Sequence, residues 1–126
     1  MRIRRLIPAV LWLLMVSLAM FTPGRSLPKL PEFSFGDKLG HFLLFAVLSF
    51  LWLRVGTINE KRGINTRILI TNLLVFCFIF PILAEYLQQF VPNRTFDYMD
   101  IVANLVGGAF GFIVFFILYK ANNRLV

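Results

Sequence analysis

Apolar residues gather into four long runs, Leu6–Phe21, Leu39–Leu53, Ile68–Val91 and Ile101–Tyr119, separated by short polar segments. A hydrocarbon core about 30 Å thick needs roughly 20 helical residues at a rise of about 1.5 Å each. The last two runs reach or approach that length, and the first two reach it by borrowing flanking residues. The pattern predicts one all-α domain over residues 1–126, a compact bundle of four transmembrane helices at about residues 6–22, 38–55, 67–91 and 99–120.

The separators differ in character. Thr22–Gly36, TPGRSLPKLPEFSFG, carries three prolines and two glycines and reads as a loop. Arg54–Arg67 is polar and basic, and Pro92–Tyr98 is a short link, PNRTFDY. The opening stretch, MRIRRLIPAVLWLLMVSLAMF, has the basic start and apolar core of a signal peptide. It lacks a clear small-x-small cleavage site before Thr22-Pro23-Gly24, so it reads as a retained first transmembrane helix with Pro8 in its opening turn.

Composition strengthens the membrane reading. Of 126 residues, 59% are hydrophobic, 15% are charged and 15 are phenylalanine, more apolar side chain than so small a globule hides from water. The net charge of +7 does not point to nucleic acid, because the basic residues sit at the ends of apolar runs and form no RNP, zinc-finger or basic-helix pattern. The lone Cys77 lies inside an apolar run, forms neither an internal disulfide nor a thiolate metal cluster, and reads as packing. Trp12, Trp52, Tyr86 and Tyr98 read as interface anchors or packing residues.

Charge sets the expected orientation. Arg2, Arg4, Arg5, Arg54, Lys61, Arg62, Arg67, Lys120 and Arg124 fall in the two tails and the middle loop, against Arg25, Lys29, Lys38 and Arg94 in the other two loops. Nine against four puts both termini in the cytoplasm under the positive-inside tendency. The second helix then starts at the outer side with Asp37, the third approaches it through Glu85, and the fourth leaves it from Asp100. All the out-of-place polar residues thus share the level of the outer leaflet.

On the second helix Asp37, Lys38 and His41 share a face with Phe45, and Gly40 is suited to close approach of a neighbour. In LAEYLQQF, Glu85 lies on one side with Gln88 and Gln89, deep enough to need a partner, for which Lys38, His41 or Arg94 are expected. In RTFDYMDIVANLVGGAFG, Asp97, Asp100 and Asn104 are spaced by three and four, and Gly107 and Gly111 form a GxxxG pair for tight helix contact. Thr95 or Asp97 is placed to cap this helix, with Phe96 at the interface.

Three chemistries suit this set. Lys38 and Arg94 are charge-assisted donors for an anionic headgroup, with Asp37, Gln88, Asp97 and Asn104 completing a binding wall. His41, Glu85 and Asp100 are the candidate groups for proton transfer. A hard metal ion on carboxylates and His41 is a third use, although the residue types single out no metal site and no cofactor. The competing reading is a non-catalytic structural or envelope scaffold whose polar cluster is an inter-helix packing network. No nucleophile elbow, P-loop, dinucleotide fingerprint or HExxH occurs, so the residues leave open whether the protein is an enzyme.

The combination DKxxHFxxF, then ExxQ, then PNRTFDxxDxxxNxxG resembles the VanZ-like family of small bacterial membrane proteins over Asp37–Gly111. The matching positions are Asp37, Lys38, His41, Phe42, Phe45, Glu85, Gln88, Arg94, Asp97, Asp100, Asn104 and Gly107. The resemblance implies a multi-pass protein of the bacterial cytoplasmic membrane, whose partners are membrane lipids, a lipid-linked cell-wall intermediate or a glycopeptide. Resistance to the glycopeptide teicoplanin is associated with the family's namesake, and no reaction is assigned by it.

Overall fold

The computed structural model describes residues 3–23 and 34–126. Most of the proline-rich stretch read as a loop lies outside the described residues. The helices are α1 (Ile3–Phe21), α2 (Ser34–Leu53), α3 (Thr66–Leu73), α4 (Phe80–Gln88) and α5 (Tyr98–Lys120). A π-helical segment, Leu74–Ile79, joins α3 to α4, so that Thr66–Gln88 is one span and four helices are long and apolar enough to cross a membrane. Against the predicted bounds, α2 starts earlier, at Ser34, and the third span ends earlier, at Gln88.

The π segment is explained by Pro81. Proline has no N–H and its ring excludes the carbonyl four residues back, here that of Cys77. The helix widens just before it, and the Phe80 N–H bonds to the Val75 carbonyl, five residues back. The buried stripe follows suit, stepping by five from Asn72 to Cys77 before it resumes at Pro81, Ala84, Glu85 and Gln88. The turns around Asn104's partner Pro81 are therefore the irregular part of the bundle.

The tightest helix pair is α2 against α5. A Cβ on Gly107 would overlap the Phe42 carbonyl, and one on Gly111 would overlap the Ala46 carbonyl and Ser49 Oγ. The GxxxG face thus does what its spacing predicts. Between those two glycines, Gly108 meets the third span, where a Cβ would stand 3.2 Å from the Cα of Cys77. Ser49 ties the pair further, its hydroxyl donating to the Gly108 carbonyl at 3.0 Å. Gly40 has no such role, since a Cβ there would meet nothing within 4 Å among the described residues. The expected close approach of a neighbour at Gly40 is corrected by this, because the space beside it is open.

Helix α1 lies against α2 and α4 through Val16, Met20, Phe45, Leu48 and Ala84, and Trp12 Nε1–H donates to the Leu44 carbonyl at 2.9 Å. A second core of Leu53, Ile58, Cys77, Phe115 and Val126 closes the opposite end. There the Arg54–Arg67 loop folds back on itself around the Asn59–Gly63 turn and meets the C-terminal residues through Tyr119 Oη–H donating to the Arg62 carbonyl at 2.9 Å. Arg54, beside Phe50, is held below its ordinary pKa by burial and by the repulsion of Arg5. The start of α1, the middle loop and the end of α5 accordingly share one end of the bundle, as the charge pattern requires. Leu11, Leu18, Ile79, Ile82, Val106 and Ile117 are exposed on the outside, as suits a lipid solvent.

Candidate functional site

The polar residues converge at the other end, where α2 and α5 begin and α4 finishes. Asp97 is the N-cap of α5, its side chain accepting from the Met99 N–H at 2.8 Å, and Asp100 and Asn104 follow on the face toward α2. Lys38 reaches across, donating from Nζ to Asp97 Oδ2 at 2.6 Å and to Asp100 Oδ1. Its Nζ is also 3.9 Å from Asp37 Oδ2. The Lys38 hydrogen bond holds the half-exposed Asp97 carboxyl below its ordinary pKa, assisted by the Met99 N–H.

His41 sits one turn below Lys38 and is buried. Its Nδ1 lies 2.9 Å from Asn104 Oδ1, while Asn104 Nδ2–H donates to the Pro81 carbonyl at 3.3 Å. Because the Pro81 oxygen can only accept, Asn104 must turn its NH₂ that way and its oxygen toward His41. His41 Nδ1 therefore carries the proton and donates. Its Nε2 faces two carboxylate oxygens, Asp100 Oδ2 at 3.6 Å and Asp37 Oδ1 at 3.9 Å.

Glu85 has no solvent exposure. Its Oε1 accepts the Asp97 backbone N–H at 3.2 Å, and its Oε2 has no hydrogen-bond partner among the described residues. The expectation of a Lys38, His41 or Arg94 partner is corrected here. Lys38 is taken by the two carboxylates of α5, and the N-terminal amide of α5 is an unpaired donor at the positive end of a helix dipole. Gln89 also departs from the expected grouping, since it is exposed and donates to the Tyr86 carbonyl of its own helix at 2.9 Å.

Arg94 and Gln88 close the end of α1. Arg94 donates from Nη2 to the Ala19 carbonyl at 3.0 Å and from Nε to the Thr22 carbonyl at 3.3 Å. Gln88 Nε2 donates to the Met20 carbonyl at 3.0 Å. The last carbonyls of a helix have no intrahelical partner, and a cation suits the negative end of its dipole. Arg94 forms no ion pair among the described residues. Two of its five N–H groups are used in this way among the described residues.

Between these groups lies a cavity of about 150 Å³, lined by Asp37, Gly40, His41, Gln88 and Arg94 over an apolar floor of Met20 and Leu44. Lys38 instead sits at the head of an apolar groove on the α2–α5 flank, beside Leu39, Phe42, Met99 and Val106. The structure thus divides the predicted residues into three groups. Lys38, Asp97 and Asp100 satisfy one another, Asp37, His41, Gln88 and Arg94 face the cavity, and Glu85 and Asn104 brace α5 from beneath. Sequence reasoning missed the backbone partners, Pro81 and the carbonyls of Ala19, Met20 and Thr22, because a main-chain acceptor leaves no residue signature.

Fold and site together define a four-span membrane protein with a buried carboxylate–histidine cluster at one end. The sequence profile of the VanZ/LLP1 family matches residues 3–119, and the chain belongs to that family. Among curated proteins it is 33% identical over 94 residues to the uncharacterized protein C11E3.10 of Schizosaccharomyces pombe, an alignment covering 74% of this chain and 54% of the relative. The aligned part is therefore about half the length of the relative it matches. No solved structure matches the chain significantly. The relative is a fission-yeast protein, and the four apolar helices make this chain a multi-pass membrane protein.

Proposed function

We propose that this protein takes the anionic headgroup of a membrane amphiphile into the cavity between α1 and α2 and acts on it by proton transfer at His41. The observation that carries this reading is the incomplete satisfaction of the buried cluster. A network that only packed helices would close on itself, because a buried polar atom without a partner is destabilising by about 1–3 kcal/mol. Among the described residues Glu85 Oε2 is unpaired, His41 Nε2 lies 3.6 Å from Asp100 Oδ2 and 3.9 Å from Asp37 Oδ1, and a cavity with a cation on its rim lies alongside. Arg94 is the anchor for the anion, His41 Nε2 is the proton acceptor, and Gln88 and Asp37 orient the headgroup. Lys38 is reassigned from ligand binding to holding the start of α5.

With the basic end in the cytoplasm, the cavity opens toward the outer leaflet. In a bacterial setting this suits a lipid-linked intermediate of the cell envelope, consistent with the resemblance to proteins associated with glycopeptide resistance. The scaffold reading keeps one supporting observation, that Arg94 and Gln88 also hold the end of α1. Reconstitution in lipid nanodiscs separates the two. Binding of a phosphate-headgroup amphiphile should weaken at least tenfold in Arg94→Gln, with a thermal midpoint within a few degrees of wild type. Unchanged headgroup binding in Arg94→Gln together with a clearly lowered thermal midpoint would establish the packing network instead.

A further inference from the structure

The geometry points to a divalent cation site formed by Asp37, His41 and Asp100 at the wall of the cavity. Three observations carry it, and none depends on the headgroup reading. One ligand atom from each residue, a carboxylate oxygen or His41 Nε2, lies within 4.8 Å of the others. The His41 side chain is 9% exposed and aims Nε2 at Asp100 Oδ2 and Asp37 Oδ1, at 3.6 and 3.9 Å. Finally, Asn104 consumes the Nδ1 proton and is itself locked by the Pro81 carbonyl.

The last point decides what belongs at Nε2. With Nδ1–H committed as donor, neutral His41 presents a lone pair to two carboxylates, an arrangement of three electron-rich atoms that repel unless something positive lies among them. A histidine that ligates a metal typically donates its other ring N–H to an amide or carboxylate behind it, as His41 does to Asn104. In a tetrahedral shell with bonds of about 2.1 Å, ligand atoms stand roughly 3.4 Å apart, so small side-chain rotations bring these three into range. Lys38 does not occupy the position. It holds Asp100 through Oδ1 and approaches Asp37 through Oδ2, leaving the oxygen of each that faces His41.

One nitrogen and two carboxylate oxygens suit Zn²⁺ or Mn²⁺, with the remaining positions open to the cavity. The site also resolves a conflict of charge. Among the described residues, Asp37, Glu85, Asp97 and Asp100 face Lys38 and Arg94 as permanent cations, a formal excess of two negative charges that would repel an anionic headgroup. A divalent ion cancels it and places a second positive centre opposite Arg94. This consequence, though not the ion site itself, rests on the headgroup reading.

The test uses the full chain in zwitterionic nanodiscs, stripped with EDTA and titrated with Zn²⁺, Mn²⁺ or, as a spectroscopic probe, Co²⁺ alone. One ion per chain is expected, with Co²⁺ absorption showing nitrogen coordination. Asp37→Asn and His41→Ala should each weaken binding at least tenfold, and Glu60→Gln at the far end should change nothing. Asp37 is more than half exposed, so its variant folds even if an Asp100 variant does not. No stoichiometric uptake by wild type, or unchanged affinity in Asp37→Asn, overturns the inference. Headgroup binding that persists in EDTA while no ion is taken up defeats this site and leaves the headgroup reading standing. Ion uptake without headgroup binding does the reverse.

Discussion

The two ends of the bundle solve the same problem with different materials. At the end where α1 begins and α5 finishes, neutral side chains bond to backbone. Asn72 Nδ2 donates to the Trp52 and Val55 carbonyls at 2.8 and 3.0 Å, Asn65 caps α3, and Tyr119 holds Arg62. The buried donors without a partner there, on Trp52, Arg54 and Arg62, belong to side chains otherwise engaged, by the Phe76 ring stacked on Trp52, the Phe50 ring under Arg54 and the Asn123 carbonyl for Arg62. At the opposite end Lys38 bonds to Asp97 and Asp100 while Glu85 and Arg94 bond to backbone, and one oxygen of the fully buried Glu85 has no partner among the described residues. The neutral solution shows what closing a helix end requires. The other end differs in burying a carboxylate, Glu85, beside a cavity lined by Asp37, His41 and Arg94.

That contrast can be broken most violently from the middle. Gly111→Leu drives a side chain into the Ala46 carbonyl and should destabilise by at least about 3 kcal/mol, collapsing both ends together; a protein that folds normally in detergent would mean the α2–α5 contact is misplaced. Lys38→Met leaves the mostly buried Asp100 without its cation and should lower stability by about 1–3 kcal/mol in thermal melts. Asn72→Ala, at the neutral end, should destabilise by about 1 kcal/mol with no effect on headgroup or ion binding. Glu85→Gln should change stability by less than about 1 kcal/mol, because it removes a charge that is only half satisfied while keeping an acceptor for the Asp97 N–H.

The gentlest probe is pH. Asp97 is held below its ordinary pKa chiefly by Lys38, so its contribution to stability is complete above about pH 4 and is lost as pH falls through the lower folded value. The thermal midpoint should stay level from neutrality to about pH 5 and then decline, with the decline shallower in Lys38→Met. An equal decline in that variant would assign the acid sensitivity to another carboxylate.

How far the sequence carried this picture depended on the kind of signal. The four spans were legible because lipid demands long apolar helices, and the tight α2–α5 contact because glycine spacing has few other uses. Lys38, His41, Asp97 and Asp100 were legible as neighbours because their spacing puts each set on one helical face. Pairing was not. Glu85 was assigned to a cation, but it found an amide, since spacing says which residues meet and not which of several partners wins. Gly40 was misread for a related reason: a glycine against backbone and a glycine against empty space look alike in sequence.

The difference between those glycines has an evolutionary side. An interior helical glycine is less stable than alanine by about 1 kcal/mol. Gly107 and Gly111 return that loss as packing, whereas Gly40 touches nothing and returns only emptiness beside His41. Adding a methyl group there would strengthen α2 at no steric cost to the apo bundle. On the proposed headgroup reading, relatives without that activity would drift toward larger residues at position 40 while keeping Gly107 and Gly111, so this one position offers a way to test the reading across the family.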